Sequence, residues 1–209
     1  MGSMIRKWFL RCALLGAAAY GVLVVGVLQE FSRDDVPAAA KRAGLAVPLA
    51  DPNVYVSTKR GVLELRDGET VVGMYSCGFG VSAIFGRLDH GARSTPLGEY
   101  RVVAATATRE LGGRGARFLR IDWPSVDDAV RALDAGFISR ADYDAIAAAA
   151  AIGVPPPVDT PFGGPIGIQG GHFFFHARHC TDGSVALSNA DMLEVFAHLP
   201  VGARVEIGD

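Results

Sequence analysis

Apolar residues fall into three patterns along the chain. From Cys12 to Leu28 they run without a single charge. From Val54 to Tyr75 they come in short blocks separated by polar turn residues. From Val126 onward they recur at helical spacing. Each pattern predicts a different element, because side chains repeat every 3.6 residues on a helix and every two on a strand.

The first pattern predicts a membrane-spanning helix. With Trp8, Phe9 and Leu10 added, the run reaches about twenty residues, enough to cross a hydrocarbon core. Arg6, Lys7 and Arg11 precede or enter it, which favours a cytoplasmic N-terminus and an exported remainder, though Arg33, Lys41 and Arg42 weaken the bias. The competing reading is a cleaved signal peptide. The run ends Val24-Val25-Gly26-Val27-Leu28 with no small-x-small site, and Ala38-Ala39-Ala40 lies well past it. We therefore read residues 1–30 as a cytoplasmic tip and an uncleaved single-pass anchor in the inner membrane. Residues 31–50 are read as a linker or short helix, and 51–208 as one folded domain outside the cytoplasm, in the periplasm.

The second pattern predicts an antiparallel meander. Val54–Ser57, Val62–Leu65 and Val71–Tyr75 read as strands. Lys59-Arg60-Gly61 turns between the first two, and Asp67-Gly68 is a strong hairpin signal between the second and third. Residues 78–94 read as a loop. Thr95-Pro96-Leu97-Gly98-Glu99-Tyr100 then turns into another strand, with Pro96 fixing one backbone angle and Gly98 permitting a tight turn.

The third pattern predicts helices. Ser125 with Asp128, and Ser139 with Asp142, are capping-box pairs three residues apart. Val126, Ala129, Val130 and Leu133 form an apolar stripe on the first helix, and Tyr143, Ile146, Ala147 and Ala150 on the second. Gly136 and Gly153 stand where each should stop. Near the C-terminus, Ser188 or Asn189 caps a helix with Met192, Leu193, Val195, Phe196 and Leu199 on its apolar side. Arg204–Ile207 closes the chain as a strand.

Composition adds two constraints. Half of the residues are apolar, so a sizeable core can be buried, and a net charge of −2 gives no basic footprint for nucleic acid. Cys77 and Cys180 fall in the exported part, where a disulfide could persist. Two separate buried side chains are the plainer reading.

The candidate chemistry lies in two segments. One runs Thr160-Pro161-Phe162-Gly163-Gly164-Pro165-Ile166-Gly167-Ile168-Gln169-Gly170, and the other Thr181-Asp182-Gly183-Ser184-Val185-Ala186-Leu187-Ser188-Asn189. Together with Thr-Pro-Leu-Gly-Glu-Tyr and the Asp-Gly meander, they resemble the L,D-transpeptidase catalytic domain family, the cysteine acyltransferases that cross-link bacterial peptidoglycan. The Ala-rich helical pair before Pro155-Pro156-Pro157 resembles an insertion of one branch of that family. The resemblance implies an α+β fold, mainly antiparallel β with peripheral helices, acting on peptidoglycan stem peptides without a cofactor. It names no protein partner.

In that family an Ile-His-Gly segment supplies the base and a Thr/Ser-x-Gly-Cys segment the nucleophile. Here Gln169 stands at the His position and Ser184 at the Cys position. A hydroxyl is weakly nucleophilic without an adjacent base, and an amide takes up no proton near neutral pH. Gly170, Gly171, Thr181, Asp182 and Gly183 keep the substrate-binding frame that the resemblance implies. Three substitutes are open. His176 or His179, or else His172, could act as base on Ser184. Cys180 could be a displaced nucleophile, although four residues along a strand is roughly 13 Å. These His and Cys side chains could also hold a metal, but their spacing is not a zinc pattern, and no metal site is assigned. Phe173-Phe174-Phe175 reads as a core strand, with the lining of a cleft for a peptide stem as the alternative. The expectation is a degenerate domain of cell-wall metabolism that binds stem peptides or a partner. The alternative is an active serine-dependent acyltransferase or hydrolase.

Overall fold

Period-two burial builds the sheet that carries the site. The computed structural model describes residues 35–80, 94–107, 117–171 and 179–209, with backbone alone for His179 and Cys180. Within it, β1 (Pro52–Ser57), β2 (Val62–Asp67) and β3 (Thr70–Ser76) form the expected antiparallel meander. Gly68 turns the hairpin between β2 and β3 at φ 57°. The residues following β3 were expected to loop, yet Phe79–Gly80 form a short strand, β4.

Then come β5 (Gly98–Thr106), β6 (Phe118–Ile121), β7 (Gly167–Gln169), β8 (His179–Thr181), β9 (Val185–Ala186) and β10 (Arg204–Gly208). Eight strands make one sheet in the order β3-β2-β1-β10-β5-β6-β7-β9, and β4 pairs with β8 in a second. The main sheet is mixed. Five of its pairings are antiparallel, while β1–β10 and β7–β9 are parallel.

Four helices accompany the sheet among the described residues. The capping boxes of α2 (Val126–Asp134) and α3 (Arg140–Ala151) form as the sequence predicts: each serine hydroxyl accepts from the aspartate N–H, and each aspartate accepts from the serine N–H. The buried stripes are rotated from those expected. Ala129 and Ala132 are buried on α2, whereas Val130 is exposed; on α3, Ile146 and Ala149 are buried. Small alanines let α2 sit close to its neighbours, and packing overrides the bare hydropathy order. Helix α4 (Asn189–His198) is capped by Ser188 and buries Met192 and Val195, while Leu193 is exposed.

Within 31–50, read as a linker or short helix, the described part contains a short helix. Val36–Arg42 form α1, which buries Val36 and Ala40, and Leu49 is buried too. The Val36 N–H donates to Glu194 Oε1 at 2.9 Å, and the Tyr75 hydroxyl lies 3.1 Å from Glu194 Oε2. The apolar side chains at 36, 40 and 49 pack into the core cluster. Val36–Asp209 form one compact unit. The expected membrane span lies outside the described residues, and among those described no helix is long and apolar enough to cross a membrane.

The core lies on one face of the sheet. Leu119, Ile121, Ile168, Val185 and Leu187 all point into it. Trp123, Phe137 and Phe162 join the helical insertion to that core, with the Phe162 ring edge-on to Trp123 at 5.4 Å and to Phe137 at 5.7 Å.

Glu64 on β2 gives the meander a pH response. Burial raises its pKa, but hydrogen bonds and charge from Arg66 and Arg60 outweigh that and leave it below the ordinary 4.5. The stabilisation is therefore complete above pH 4.5 and is lost as pH falls through the lower folded value. We expect Glu64→Gln to be less stable than the wild type at pH 7 and to lose part of the wild type's destabilisation on acidification. Urea midpoints at pH 7 and pH 3 check this.

Candidate functional site

The two candidate segments meet on neighbouring strands. Parallel pairing sets Ile168 beside Val185 and Gln169 beside Ala186. Side chains alternate along a strand, so Ile168 and Val185 enter the core while Gln169 and Ala186 share the opposite face. Ser184, two residues before Ala186, belongs to that second face as well. Its hydroxyl oxygen accepts from the Gly167 N–H at 3.3 Å. One strand spacing and a two-residue offset put the Gln169 and Ser184 Cα atoms roughly 8 Å apart. The structure thus brings together the two positions that the sequence singles out.

Backbone contacts hold this frame. The Leu187 N–H donates to the Gln169 carbonyl at 2.8 Å. Gly78 and Ala186 exchange N–H···O bonds at 2.9 Å, closing the outer side of β9. The Thr181 hydroxyl donates to the Ser184 carbonyl at 2.6 Å and accepts from the Gly183 N–H at 3.2 Å. Residues 181–184 are therefore braced into one turn, with Gly183 at φ 117°. Thr181, Gly183 and Ser184 are buried, whereas Asp182 is exposed.

Two glycines permit close approach. A Cβ on Gly167 would lie 2.1 Å from the Leu119 carbonyl oxygen. One on Gly170 would lie 2.5 Å from Asn189 Oδ1, at the start of α4. Gly170, buried, and Gly171, half-buried, continue directly from Gln169. In β4, the Gly80 N–H donates to the buried Thr95 hydroxyl at 3.0 Å, tying the Thr-Pro-Leu-Gly segment to β4.

His172, Phe173, Phe174, Phe175 and His176 lie outside the described residues. His179 and Cys180 belong to β8, which pairs with β4 and not with β7. The pairing of Phe79 with His179 sets Cys77 and Cys180 three residue steps apart along the strands, roughly 10 Å. That exceeds the Cα separation a disulfide spans, about 7 Å at most. Among the described residues no three His, Cys, Asp or Glu side chains cluster to hold a metal.

The sequence reading passed over Arg120. It stands opposite Gly167 in the antiparallel β6–β7 pair. The signal for it was the alternation Phe118-Leu119-Arg120-Ile121, which turns Phe118 and Arg120 away from the core.

Comparisons with known proteins give the family and the fold. The YkuD family model, the L,D-transpeptidase catalytic domain, matches residues 51–207. Among solved structures, the helical cell shape determining protein Pgp2 from Campylobacter jejuni aligns at TM-score 0.51 and 16% identity, over 76% of this chain and 48% of that one. An L,D-transpeptidase from Xylanimonas cellulosilytica aligns at TM-score 0.45 and 17% identity, over 81% and 67%. L,D-transpeptidase 1 from Mycobacterium tuberculosis aligns at TM-score 0.41 and 11% identity, over 76% and 62%. The chain thus spans about half to two thirds of the length of these structures. No curated protein matches it at a significant level.

The close approach at Gly167 yields a prediction. Gly167→Ala drives a methyl into backbone, with no flexible side chain to give way. We expect a loss of about 3 kcal/mol or more, which lowers Tm by roughly 6 °C or more in a domain of this size. Calorimetry on the variant checks it.

Proposed function

The chain belongs to the L,D-transpeptidase catalytic domain family, and from that premise we propose that it is a degenerate member that binds peptidoglycan stem peptides or a partner without joining peptides. The family acts on peptidoglycan peptides. The observation that carries the reading is the placement of Gln169 on β7 and of Ser184 just before the paired strand β9, with the Ser184 hydroxyl against the Gly167 N–H. The acyl-transfer frame is retained, and the groups on it do not ionise usefully.

The chemistry weighs against turnover. Ser184 Oγ accepts a hydrogen bond from Gly167 N–H, which draws electron density away from the attacking oxygen. Gln169 offers donors and an acceptor but no base. In comparable hydrolases, loss of nucleophile or base costs on the order of 10⁴ to 10⁶ in rate. At 1.36 kcal/mol per decade, that is about 5 to 8 kcal/mol of barrier. What such a site keeps is recognition: backbone groups at Gly170, Gly171 and Gly183, and the braced turn at Thr181 and Asp182, remain to receive an extended peptide.

Export is part of the same proposal. A stem peptide lies outside the cytoplasm, and the uncharged run from Cys12 to Leu28 would anchor the domain to the inner membrane with its folded part in the periplasm.

Incubation of the protein with purified muropeptides, assayed for both binding and product, tests the reading. We expect binding without product from the wild type. We expect new cross-linked or cleaved product from the paired Ser184→Cys, Gln169→His variant. Product from the wild type that disappears in Ser184→Ala would establish the serine-dependent enzyme instead. An inert paired variant would overturn the assignment of the two positions.

A further inference from the structure

The segment after α1 presents an exposed apolar tip that is held at both sides. Helix α1 stops at Arg42, and the chain reverses at Gly44, which has φ 74°. The Gly44 N–H donates to the Lys41 carbonyl at 3.1 Å, and the Leu45 N–H to the Ala40 carbonyl at 2.9 Å, the bonding that closes a helix on a left-handed glycine. Leu45 packs against the core, and Leu49 is buried. Between these two anchors Ala46, Val47 and Pro48 are all exposed, Val47 at 49%. From Ala43 to Ala50 the chain carries no charge. Apolar residues scattered singly over a surface need no explanation, but an uncharged stretch fastened to the body with its middle in solvent does.

Lys41 and Arg42, both exposed, immediately precede this stretch. The partial negative charge at a helix C-terminus favours cations there, which accounts for the pair. It does not account for the exposed apolar residues beyond it. An apolar tip with basic neighbours is suited to the interfacial layer of a bilayer, where the apolar part enters the headgroup boundary and the cations meet lipid phosphates.

The covalent chain names the bilayer as the occupant. The uncharged run ends at Leu28, and only Gln29–Asp35 separate it from Val36. Fully extended, that tether reaches roughly 25 Å. Val36 is itself fastened to the body, with its side chain buried and its N–H donating to Glu194 Oε1 at 2.9 Å. The tether is therefore short, and it ends on the helix that leads into the tip. Its acidic residues, Glu30, Asp34 and Asp35, precede that helix, and the basic pair closes it. The exposed apolar group at Ile152, Val154 and Val158 ends the helical insertion, far along the chain from the run.

We propose that the Ala46–Pro48 tip and the Lys41–Arg42 pair form the surface by which the folded domain rests on an anionic bilayer. The inference rests on reading Cys12–Leu28 as a membrane anchor. The tip enters the headgroup layer, and the pair faces lipid phosphates. This second point of contact holds the domain in one orientation to the membrane instead of leaving it free on its tether.

The test uses the full chain reconstituted in vesicles of phosphatidylcholine with phosphatidylglycerol. A fluorophore is placed on Val47→Cys, in a Cys12→Ala, Cys180→Ala background that leaves only the buried Cys77. Quenching by spin-labelled lipid is then read, with the same fluorophore on Ile152→Cys as the rival surface. Both positions are exposed, so neither label disturbs the core. We expect quenching at Val47 at least about threefold stronger than at Ile152. We expect Lys41→Glu, or vesicles of phosphatidylcholine alone, to reduce the Val47 signal about twofold or more. Quenching at Val47 no greater than at Ile152 overturns the proposal. An undiminished signal in Lys41→Glu removes the basic pair from it. Extraction with alkaline carbonate separates this failure from that of the anchor. A chain that washes off the vesicles overturns the anchor and this inference together, whereas a chain that stays while Val47 is unquenched overturns this inference alone.

Discussion

The parallel pairing of β7 with β9 is the constraint on which the site depends. It sets Gln169 beside Ala186 and leaves the Ser184 hydroxyl against the Gly167 N–H. Because side chains alternate with period two, a slip of one residue would send Gln169 and Ser184 into the core and turn Ile168 and Val185 out. The apolar neighbours forbid that slip. Ile168, Val185, Leu119 and Leu187 are each essentially inaccessible to solvent. Packing on one face of the sheet thereby fixes the chemistry on the other.

The same logic explains the glycines. Gly167 is required because β6 passes so close that its Leu119 carbonyl occupies the space of a side chain. Gly170 is required because Asn189 at the start of α4 does the same. A frame with so little tolerance keeps its shape when the reactive groups on it change. On the proposed reading, that is how the backbone could stay suited to a peptide while Ser184 and Gln169 stand at the nucleophile and base positions. The proline run at the end of the helical insertion reaches back to Arg120 on β6.

Local signals in the sequence carried through wherever they rest on near neighbours. The Asp67-Gly68 turn, the capping boxes at Ser125 and Ser139 and the cap at Ser188 all form, since each depends on residues within a few positions. Long-range pairings were not legible. Nothing in Arg204–Ile207 announces that β10 lies parallel to β1 in the middle of the sheet, and nothing near Phe79 announces a strand pairing with His179. Helix faces were misjudged where alanine does the packing: Ala132 is buried and Val130 is not, because a close helix contact selects small side chains over hydrophobic ones. At the site, Gln169 and Ser184 were found through motif resemblance. The place of Arg120 opposite Gly167 comes from strand pairing, which only the fold reveals.

The central claim is that positions 169 and 184 are close enough, on one face, for a base at the first to act on a nucleophile at the second. The most direct measurement is the pH dependence of alkylation of a thiol introduced by Ser184→Cys, followed at that site by mass spectrometry, with Gln169 retained and with Gln169→His added. The account predicts that the histidine lowers the apparent thiol pKa by about one unit or more from its ordinary value near 8.5. Identical profiles in the two backgrounds would show that the positions do not communicate, and would contradict it.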